Sequence, residues 1–383
     1  MSKTQFPIER FRQTETPFYY YDIDLLRETL SSINEQREKY GYKVHFAVKA
    51  NANARVLDEI REAGLGIDCV SGNEVKRALE LGFDNQKIVF AGVGKSDWEM
   101  RLALEANIEC FNVESLPEME VLNQLAMECG RTANIALRIN PNVDAHTHQY
   151  ITTGLEENKF GIGMWEIEKI VEAAKNMSNI NLIGIHFHIG SQITDLDVFK
   201  VLCSRVNEIQ KWFEQNKIRL TIINVGGGLG IDYEYPDAKP VPDFEGYFGV
   251  FHKFLELREG QEVHFELGRA VVAQCGSLIT KVLFVKEGQH KKFAIVDAGM
   301  NDLIRPALYH AYHKIENITS DLPAEKYDVV GPVCESSDCF GKAAVLAGTK
   351  RGDLIAIRSA GAYGEVMSSK YNLREFAKTY YSK

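Results

Sequence analysis

The chain has 383 residues, of which 45% are hydrophobic and 25% are charged, a composition typical of a folded globular protein with room for two domains. Acidic residues outnumber basic ones 53 to 44 and no basic patch is visible, so we predict no nucleic-acid partner. No run of about 18 apolar residues occurs, which disfavours a membrane span. The charged N-terminal segment likewise disfavours an export signal.

The cysteine pattern indicates the redox environment. Seven cysteines are scattered through the chain, at positions 69, 110, 129, 203, 275, 334 and 339. An odd number without regular spacing favours reduced thiols over a disulfide framework. We therefore expect a cytoplasmic protein.

From residue 43 onward, short β-branched or aromatic segments alternate with longer segments of helical apolar spacing. This alternation predicts βα units and a parallel sheet. Eight strands are predicted, at residues 43–49, 66–71, 87–92, 109–115, 134–140, 182–190, 221–228 and 262–269. Eight is the number that closes a (β/α)8 barrel, with the intervening helices packed around it.

After residue 270 the pattern changes to short strands without comparable helices, such as KKFAIVDAG and GDLIAIRSAGAYG. This pattern predicts a β-rich second domain. The opening segment TPFYYYD is also predicted to be a strand and to pair with that domain. The predicted fold is therefore α/β plus β. Its barrel spans residues 25–270, and its β-rich domain comprises residues 1–24 and 271–383.

Polar side chains are concentrated at the predicted C-terminal ends of the barrel strands. In a (β/α)8 barrel these ends and the loops that follow them form one mouth, where catalytic groups lie. The polar residues there are Lys49, Asp68, Ser71, Glu74, Arg138, His188, Ser191, Glu266 and Arg269.

The seventh strand instead ends in three glycines, Gly226, Gly227 and Gly228. Glycine lets backbone N–H groups approach an anion closely, and the loops after strands seven and eight commonly bind phosphate in such barrels. Gly268, after the eighth strand, would supply the second half of that site. A tight turn packed under the rim explains the glycines equally well. Ile231 breaks the G-x-G-x-x-G spacing, and no P-loop motif occurs.

Lys49 is predicted to lie in an otherwise apolar strand, where burial would lower its pKa and favour imine formation with an aldehyde. Alternatively, a lysine at a strand end extends its ammonium into solvent. A phosphate site, a lysine and a carboxylate on one rim together match the phosphate, aldehyde and pyridine nitrogen of pyridoxal 5′-phosphate (PLP).

Histidines do not predict a metal site in this sequence. His186 and His188 lie on the sixth strand, but no Cys, His or carboxylate cluster with ligand spacing accompanies them. His188 is better interpreted as a ring-stacking residue. His146 and His148 are expected to be solvated. They lie in a long polar stretch, residues 142–159, which is long enough to act as a lid.

Several motifs occur in an order that resembles the fold-type III PLP-dependent decarboxylases, and in particular the branch that acts on diaminopimelate. They are FAVKANAN, GIDCVSGNE, HFHIGSQI, NVGGGLGIDY, ELGR, GPVCESSD and GAYGEVMSSKYN, and they span nearly the whole chain. The resemblance implies decarboxylation of meso-2,6-diaminopimelate to L-lysine and CO2, the last step of lysine biosynthesis.

The resemblance also implies roles for individual residues. Lys49 would bind PLP as an imine, His188 would stack on its ring, and Glu266 would keep its pyridine nitrogen protonated. Asp68 and Glu74 would support the lysine and the ring, and Arg138 would lie near the pyridine edge. The groups expected around the phosphate are Ser191, Gly227, Gly228, Gly268, Arg269 and Tyr363.

For the substrate, the resemblance implies that Arg305 and Tyr309 bind the distal carboxylate and that Glu335 binds the distal ammonium. Arg269 and Tyr363 would also contact the substrate. Cys334 would return a proton to the α-carbon after decarboxylation. The loop that carries it would reach into a partner's active site, which implies a homodimer with shared sites.

Two other functions remain open. The protein could decarboxylate ornithine, arginine or carboxynorspermidine, or it could be a PLP-free regulatory relative of the decarboxylases. The joint presence of Lys49, His188, Glu266 and Cys334 disfavours the regulatory role. One departure from the family pattern is Leu267, which stands where proline is usual in the E-x-G-R turn and which keeps its backbone N–H.

Overall fold

The computed structural model describes residues 6–143 and 159–382. His146, His148 and nearly all of the predicted lid therefore lie outside the described residues. The chain divides into two compact units. The barrel unit contains Leu30–Gly230 and Asp243–Gly268. The sheet unit contains the N-terminal residues up to Thr29, the segment Ile231–Pro242 and the chain from Arg269 onward. The predicted domain boundaries at residues 25 and 270 stay predictions.

The N-terminal segment forms three elements: helix α1 (Ile8–Arg12), strand β1 (Phe18–Tyr21) and helix α2 (Ile23–Tyr40). All four residues of β1 are buried. Phe11 and Tyr20 pack edge-on with their ring centroids 4.9 Å apart, so the first helix covers one face of this strand.

A closed barrel of eight parallel strands is the core of the barrel unit, as the sequence predicts. β2 pairs with the last strand to close it, with Lys43 opposite His264 and Phe46 opposite Leu267. Leu267, where the sequence departs from the expected family pattern, thus continues the ladder. The strands are β2 (Lys43–Ala47), β3 (Gly66–Cys69), β4 (Ile88–Phe90), β5 (Cys110–Val113), β6 (Ala133–Arg138), β7 (Ile180–His186), β8 (Ile222–Asn224) and β9 (Glu262–Leu267).

Seven helices of the described chain accompany these strands. Two of them begin directly after a strand because a serine caps them: Ser71 accepts the Glu74 N–H and Ser115 accepts the Glu118 N–H. These caps keep each connection short. The helices are α3 (Ala54–Glu62), α4 (Gly72–Glu80), α5 (Asp97–Glu105), α6 (Leu116–Glu128), α7 (Ile167–Lys175), α8 (Asp197–Gln215) and α9 (Phe244–Phe254).

Alternation along β9 decides which side chains enter the barrel. Phe265 points outward and packs on α9, with its ring centroid 4.7 Å from Phe248 and 5.0 Å from Phe251. His264 and Glu266, on either side of it, point into the barrel, because successive strand residues face opposite sides. The barrel interior is therefore polar along this strand.

Eight strands of the described chain form the antiparallel-rich sheet of the other unit, and six of them follow one another in the order β12-β15-β10-β11-β13-β14. As predicted, β1 joins this sheet. It pairs with β10 antiparallel and with β16 parallel. Short strands β12 and β16 have no predicted counterpart. The elements are α10 (Arg269–Val272), β10 (Gly276–Glu287), β11 (Lys292–Val296), α11 (Arg305–Tyr309), β12 (Ile315–Asn317), β13 (Ala324–Val330), β14 (Cys339–Ala347), β15 (Leu354–Ile357) and β16 (Lys378–Tyr381).

No helix within the described residues combines the length and the apolar character needed to cross a membrane.

Candidate active site

Lys49 lies just beyond the end of β2, in the 3-10 turn Val48–Ala50. Its side chain is exposed. The expectation of a lysine buried in an apolar strand is therefore wrong. The strand ends at Ala47, and Lys49 lies in the turn that follows it. The Lys49 charge still acts on the pKa values of Asp68, Glu266 and His188, so Lys49 belongs to the same group of side chains.

Glu266 is a buried carboxylate with hydrogen-bond partners on both oxygens. Its Oε1 accepts from Asn112 Nδ2 at 2.9 Å and from Asn224 Nδ2 at 2.8 Å. Its Oε2 lies 2.8 Å from His186 Nε2. Burial raises the pKa of Glu266, but the charge and the hydrogen bond of His186, together with Lys49, outweigh it and lower that pKa below its usual range. Glu266 is therefore ionised at neutral pH.

The pKa of Asp68, at the end of β3, is shifted in the opposite direction. Burial, followed by the negative charge of Glu266, raises the pKa of Asp68 well above its usual value. Its Oδ1 is buried and has no hydrogen-bond partner among the described residues. Two carboxyl groups whose pKa values are shifted in opposite directions are a common feature of sites that do acid–base chemistry.

Glu74 lies in the first turn of α4, next to Asp68. Its Oε2 accepts the Val70 N–H at 2.6 Å, which fixes the carboxylate at the strand-to-helix turn. Burial raises the pKa of Glu74, against the opposing effects of Val70 and Lys49. The second predicted supporting carboxylate is therefore close to the lysine.

His188 follows β7 and is partly buried. Burial, and then the charges of Lys49 and Arg138, lower its pKa well below the usual value, so its ring is neutral at physiological pH. Its Nδ1 lies 3.4 Å from the Gly227 backbone N, which makes it the acceptor for that N–H. A neutral ring held by a backbone donor suits stacking on a cofactor better than acid catalysis.

The glycines after β8 are required by packing. A Cβ on Gly226 would lie 2.1 Å from the Phe187 carbonyl oxygen, and one on Gly227 would lie 2.0 Å from the Glu266 carbonyl oxygen. Gly228 has a φ of +115°, which side chains rarely adopt. The alternative of a tightly packed turn is thus correct for all three. Two of their N–H groups donate within the barrel, that of Gly226 to Asn224 Oδ1 and that of Gly227 to His188 Nδ1.

The loops after β7, β8 and β9 lie at the same end of neighbouring strands. Ile193 and Leu229 form a parallel bridge, which joins the Ser191 loop to the glycine loop. The Ile193 N–H donates to the Gly228 carbonyl at 2.9 Å. Gly268 follows β9, which pairs with β8. The predicted phosphate-binding groups of the barrel unit are therefore brought together.

Arg138, at the end of β6, forms a buried ion pair. Its Nη1 lies 2.6 Å from Glu114 Oε1, and its guanidinium covers the Phe160 ring at 4.7 Å from the ring centroid. Glu114 also accepts the Gly92 and Gly161 N–H groups. The arginine is thus held rigidly at the barrel mouth.

These side chains fit the cofactor that the sequence predicts. PLP has an anionic phosphate, an aldehyde and a basic ring nitrogen. The barrel unit offers a glycine backbone loop, the Lys49 amine and the ionised Glu266 carboxylate respectively, and Asp68 has a buried oxygen without a partner. The donor set therefore suits the three reactive parts of PLP.

A separate group, the arginine–tyrosine cluster, lies in the sheet unit. Arg269 Nη1 donates to the Tyr233 hydroxyl at 2.6 Å, and Arg305 Nη2 donates to the same hydroxyl at 3.4 Å. Tyr309 and Tyr363 present their rings to the guanidinium of Arg305, each with its centroid 5.9 Å from Cζ. Four predicted residues are thus brought together around an unpredicted tyrosine.

Arg305 is 6% exposed and forms no ion pair with any carboxylate of the described residues. Its Nε donates to His313 Nε2 at 3.2 Å. Burial, and then Arg305 itself, lower the pKa of His313 to about 3, so this histidine is neutral. Burial also lowers the pKa of Arg305 from its usual value. Arg305 therefore carries a buried positive charge without an acidic partner from the described chain.

Cys334 and Glu335 lie elsewhere, on the exposed loop between β13 and β14. The Cys334 N–H donates to Asn372 Oδ1 at 3.3 Å, and Glu335 Oε1 accepts from the Tyr371 hydroxyl at 2.6 Å. Within the described part of one chain, neither residue hydrogen-bonds to Arg305.

Sequence reasoning missed the residues that hold the predicted ones. They are Asn112, Glu114, His186 as a Glu266 partner, Asn224, Tyr233 and His313. Asn112 and Asn224 are polar residues in otherwise apolar strands, so the sequence pattern could have identified them. Nothing comparable marks Tyr233, which follows the glycine loop.

Comparisons with known proteins agree with this geometry. Residues 26–273 match the family model of the pyridoxal-binding domain of pyridoxal-dependent decarboxylases. Diaminopimelate decarboxylase of Bacteroides thetaiotaomicron is 62% identical over 378 residues, which cover 98% of each chain.

Solved structures give the same result. A crystal structure of a diaminopimelate decarboxylase variant from Helicobacter pylori, complexed with L-lysine, superimposes with a TM-score of 0.92 at 41% identity and covers 98% of this chain and 94% of that one. The arginine decarboxylase of Paramecium bursaria Chlorella virus has a TM-score of 0.85 at 19% identity over 98% of both chains, which shows a common fold alone. This chain belongs to the diaminopimelate decarboxylases, a branch of the pyridoxal-dependent decarboxylase family.

Proposed function

We propose that this protein releases CO2 from meso-2,6-diaminopimelate and forms L-lysine, with PLP as its cofactor. The observation that carries the choice of substrate is Arg305, a buried guanidinium without an acidic partner in the described chain. A buried cation needs an anion or strong acceptors nearby. A substrate with a second, distal carboxylate supplies that anion.

The rival substrates do not supply it. In ornithine, arginine and carboxynorspermidine the only carboxylate is the one that leaves as CO2, and their distal groups are cationic. A cationic end beside Arg269 and Arg305 would be repelled. Tyr233, which accepts hydrogen bonds from both arginines, keeps their guanidinium groups in one orientation. Planar guanidinium groups bind carboxylates through paired hydrogen bonds. The arginine–tyrosine cluster therefore favours diaminopimelate.

The barrel residues would hold the cofactor. Lys49 would form the covalent bond to its aldehyde, His188 would stack on the ring, and Glu266 would keep a proton on the ring nitrogen. When PLP is bound, its ring takes up the electron pair that CO2 leaves on the α-carbon. The low pKa of Glu266 keeps that carboxylate charged, so it stabilises the protonated nitrogen throughout. The remaining contacts assigned to PLP are Asp68, Glu74, Arg138, Ser191, Gly227, Gly228, Gly268, Arg269 and Tyr363.

Two further assignments concern the sheet unit. Tyr309, Tyr363 and Glu335 would contact the distal end of the substrate, and Cys334 would return a proton to the α-carbon. Because Cys334 lies on an exposed loop, we propose that it serves the active site of a partner chain in a homodimer.

We also place the domain boundaries at residues 25 and 270. All seven cysteines are free thiols, which supports a cytoplasmic location.

The experiment compares CO2 release from meso-diaminopimelate, ornithine, arginine and carboxynorspermidine by the purified PLP-loaded protein. Lysine should form from diaminopimelate alone, and Lys49→Ala should abolish the reaction. Arg305→Met should raise KM for diaminopimelate roughly 100-fold, because a charge-assisted contact is lost. Arg351→Met is the matched control, since this exposed arginine donates to a backbone carbonyl on the surface of the sheet.

Faster turnover of any of the other three amino acids would reject the substrate while leaving the fold and the cofactor in place. An equal rise in KM for Arg305→Met and Arg351→Met would reject the role of the arginine–tyrosine cluster.

The shared active site can be tested by mixing two inactive variants, Lys49→Ala and Cys334→Ala. After dissociation and random reassociation, heterodimers contain one intact site, so about a quarter of the wild-type activity should return. No recovery in a mixture that contains heterodimers would show that both residues act within one chain.

A further inference from the structure

The barrel contains a second polar cluster at the N-terminal end of its strands, made of two buried histidines and one partly buried glutamate. His45 lies on β2, His264 lies on β9 two residues before Glu266, and Glu109 directly precedes β5. We call these three residues the base cluster. The proposed decarboxylation uses none of them.

Distances within the base cluster match a metal coordination shell. His45 Nε2 lies 3.2 Å from His264 Nδ1 and 3.7 Å from Glu109 Oε2. The three potential ligand atoms all lie within 4.8 Å of one another. With metal–ligand bonds of about 2.1 Å, tetrahedral geometry separates neighbouring ligand atoms by roughly 3.4 Å. An ion between these three side chains needs only small side-chain rotations.

Several polar atoms of the base cluster have no hydrogen-bond partner within the described chain. The side chains of His45 and His264 are 2% and 1% exposed, yet His45 Nδ1, His264 Nε2 and Glu109 Oε2 are buried atoms with no hydrogen-bond partner among the described residues. Buried polar atoms are nearly always paired in folded proteins. A metal ion between the rings would engage Glu109 Oε2, which has no partner, together with His45 Nε2 and His264 Nδ1, the two nitrogens that face each other. The outer nitrogens, His45 Nδ1 and His264 Nε2, would then carry the ring protons.

The surroundings also suit a cation. Glu262 Oε2 lies 3.7 Å from His264 Nε2, the position of the outer carboxylate that orients many metal-bound histidines. Lys43 Nζ lies 3.9 Å from Glu262 Oε1, which compensates the lysine charge. Gly66 on the neighbouring strand makes room for the ring, because a Cβ there would lie 2.5 Å from His45 Nδ1.

From this geometry we propose that His45, Glu109 and His264 bind one divalent transition-metal ion of the Zn²⁺ class, with water completing the shell. Two imidazoles and one carboxylate are ligands that Zn²⁺ favours, whereas Mg²⁺ and Ca²⁺ prefer oxygen atoms alone. The site links β2 and β9, where the barrel closes, to the start of β5. Its role is structural, and it is separate from the PLP chemistry at the other end of the strands.

The test uses the PLP-loaded protein after treatment with a chelator and dialysis. Titration with Zn²⁺, followed by removal of unbound ions and elemental analysis, should leave about one equivalent per chain. Titration with Co²⁺ should add the visible d–d absorption of a four- or five-coordinate ion to the spectrum. Zn²⁺ should also raise the melting temperature of the wild-type protein.

Three variants decide the outcome. His264→Gln should lose the bound equivalent and the cobalt spectrum, and Glu109→Gln, which keeps both imidazoles, should bind Zn²⁺ at least about tenfold more weakly. His290→Gln, at an exposed turn of the sheet unit, should behave as the wild type does. Circular dichroism of the metal-free proteins establishes that each variant is folded. The proposal is overturned if the wild type retains no metal, or if His264→Gln binds Zn²⁺ as tightly as His290→Gln does.

Discussion

Glu266 and Glu109 are two glutamates of the same barrel, and their surroundings drive their pKa values in opposite directions. Burial raises the pKa of both. At the mouth, the charge and the hydrogen bond of His186, together with Lys49, outweigh burial, so the pKa of Glu266 is lowered overall. At the base, Glu109 Oε2 has no hydrogen-bond partner among the described residues, and its pKa stays raised.

The difference shows that depth alone does not determine the charge of a buried carboxylate. Desolvation disfavours the charged form at both ends, but donors and cations reverse that effect only where they are present. The mouth thus has a permanent anion, as a protonated ring nitrogen requires. At the base, a bound cation would stabilise the charged form of Glu109. Four substitutions test this comparison.

The largest effect is expected for Glu266→Gln. The substitution keeps the shape of the side chain but removes the charge that would hold a proton on the cofactor nitrogen, so kcat should fall about 10³-fold, or about 4 kcal/mol. Single-turnover CO2 release measures it. Glu80→Gln, on the exposed face of α4, is the control. A loss below tenfold would mean that the Glu266 charge is not needed for the chemistry.

The next effect concerns the backbone that carries Glu266. Gly227→Ala places a Cβ 2.0 Å from the Glu266 carbonyl oxygen, so the strand must shift, at a cost of about 3 kcal/mol in stability and with weaker PLP binding. Gly249→Ala, in α9, meets no atom within 4 Å and should stabilise the protein by about 0.5–1 kcal/mol. Chemical unfolding compares them. Similar midpoints for the two variants would contradict the proposed clash.

Sequence patterns predicted the architecture well because alternation and strand count are local properties. The eight barrel strands and the pairing of TPFYYYD with the second sheet were both predicted correctly. Some predicted strands end too late in the chain, for example at Lys49 instead of Ala47. The apolar residue Val48 continues the sequence pattern after the backbone has left the ladder. This error produced the wrong expectation that Lys49 is buried.

Long-range pairing explains what the sequence did not predict. His45 and His264 are 219 positions apart, and only closure of the barrel by β2 and β9 brings them together. Ligand spacing along the chain therefore gave no metal signal. Tyr233 belongs to the segment Ile231–Pro242, which lies in the sheet unit although it interrupts the barrel sequence. Neither composition nor periodicity marks that change of unit.

Asn224→Ala tests the hydrogen bonds at the mouth separately from the Glu266 charge. Glu266 Oε1 would keep only Asn112 as a donor, so the pKa of Glu266 should rise toward its usual value. The acidic limb of the pH profile of kcat/KM should therefore move to higher pH, and kcat should fall about tenfold. Asn216→Ala, at the end of α8, is the control. An unshifted acidic limb would show that Asn224 does not tune this carboxylate.

The smallest effect is expected at the base, for Glu109→Gln in chelator-treated protein. A group whose folded-state pKa is raised binds more protons in the folded state, so the wild type should lose stability as pH rises from the usual glutamate value of 4.5 through the raised one. The variant lacks this loss and should be more stable at pH 8 by about 1 kcal/mol. Glu105→Gln, exposed on α5, should match the wild type. Denaturation midpoints at pH 5 and pH 8 measure the difference. A variant less stable than the wild type at pH 8 without metal would mean that Glu109 already has a favourable partner, and the contrast with Glu266 would then fail.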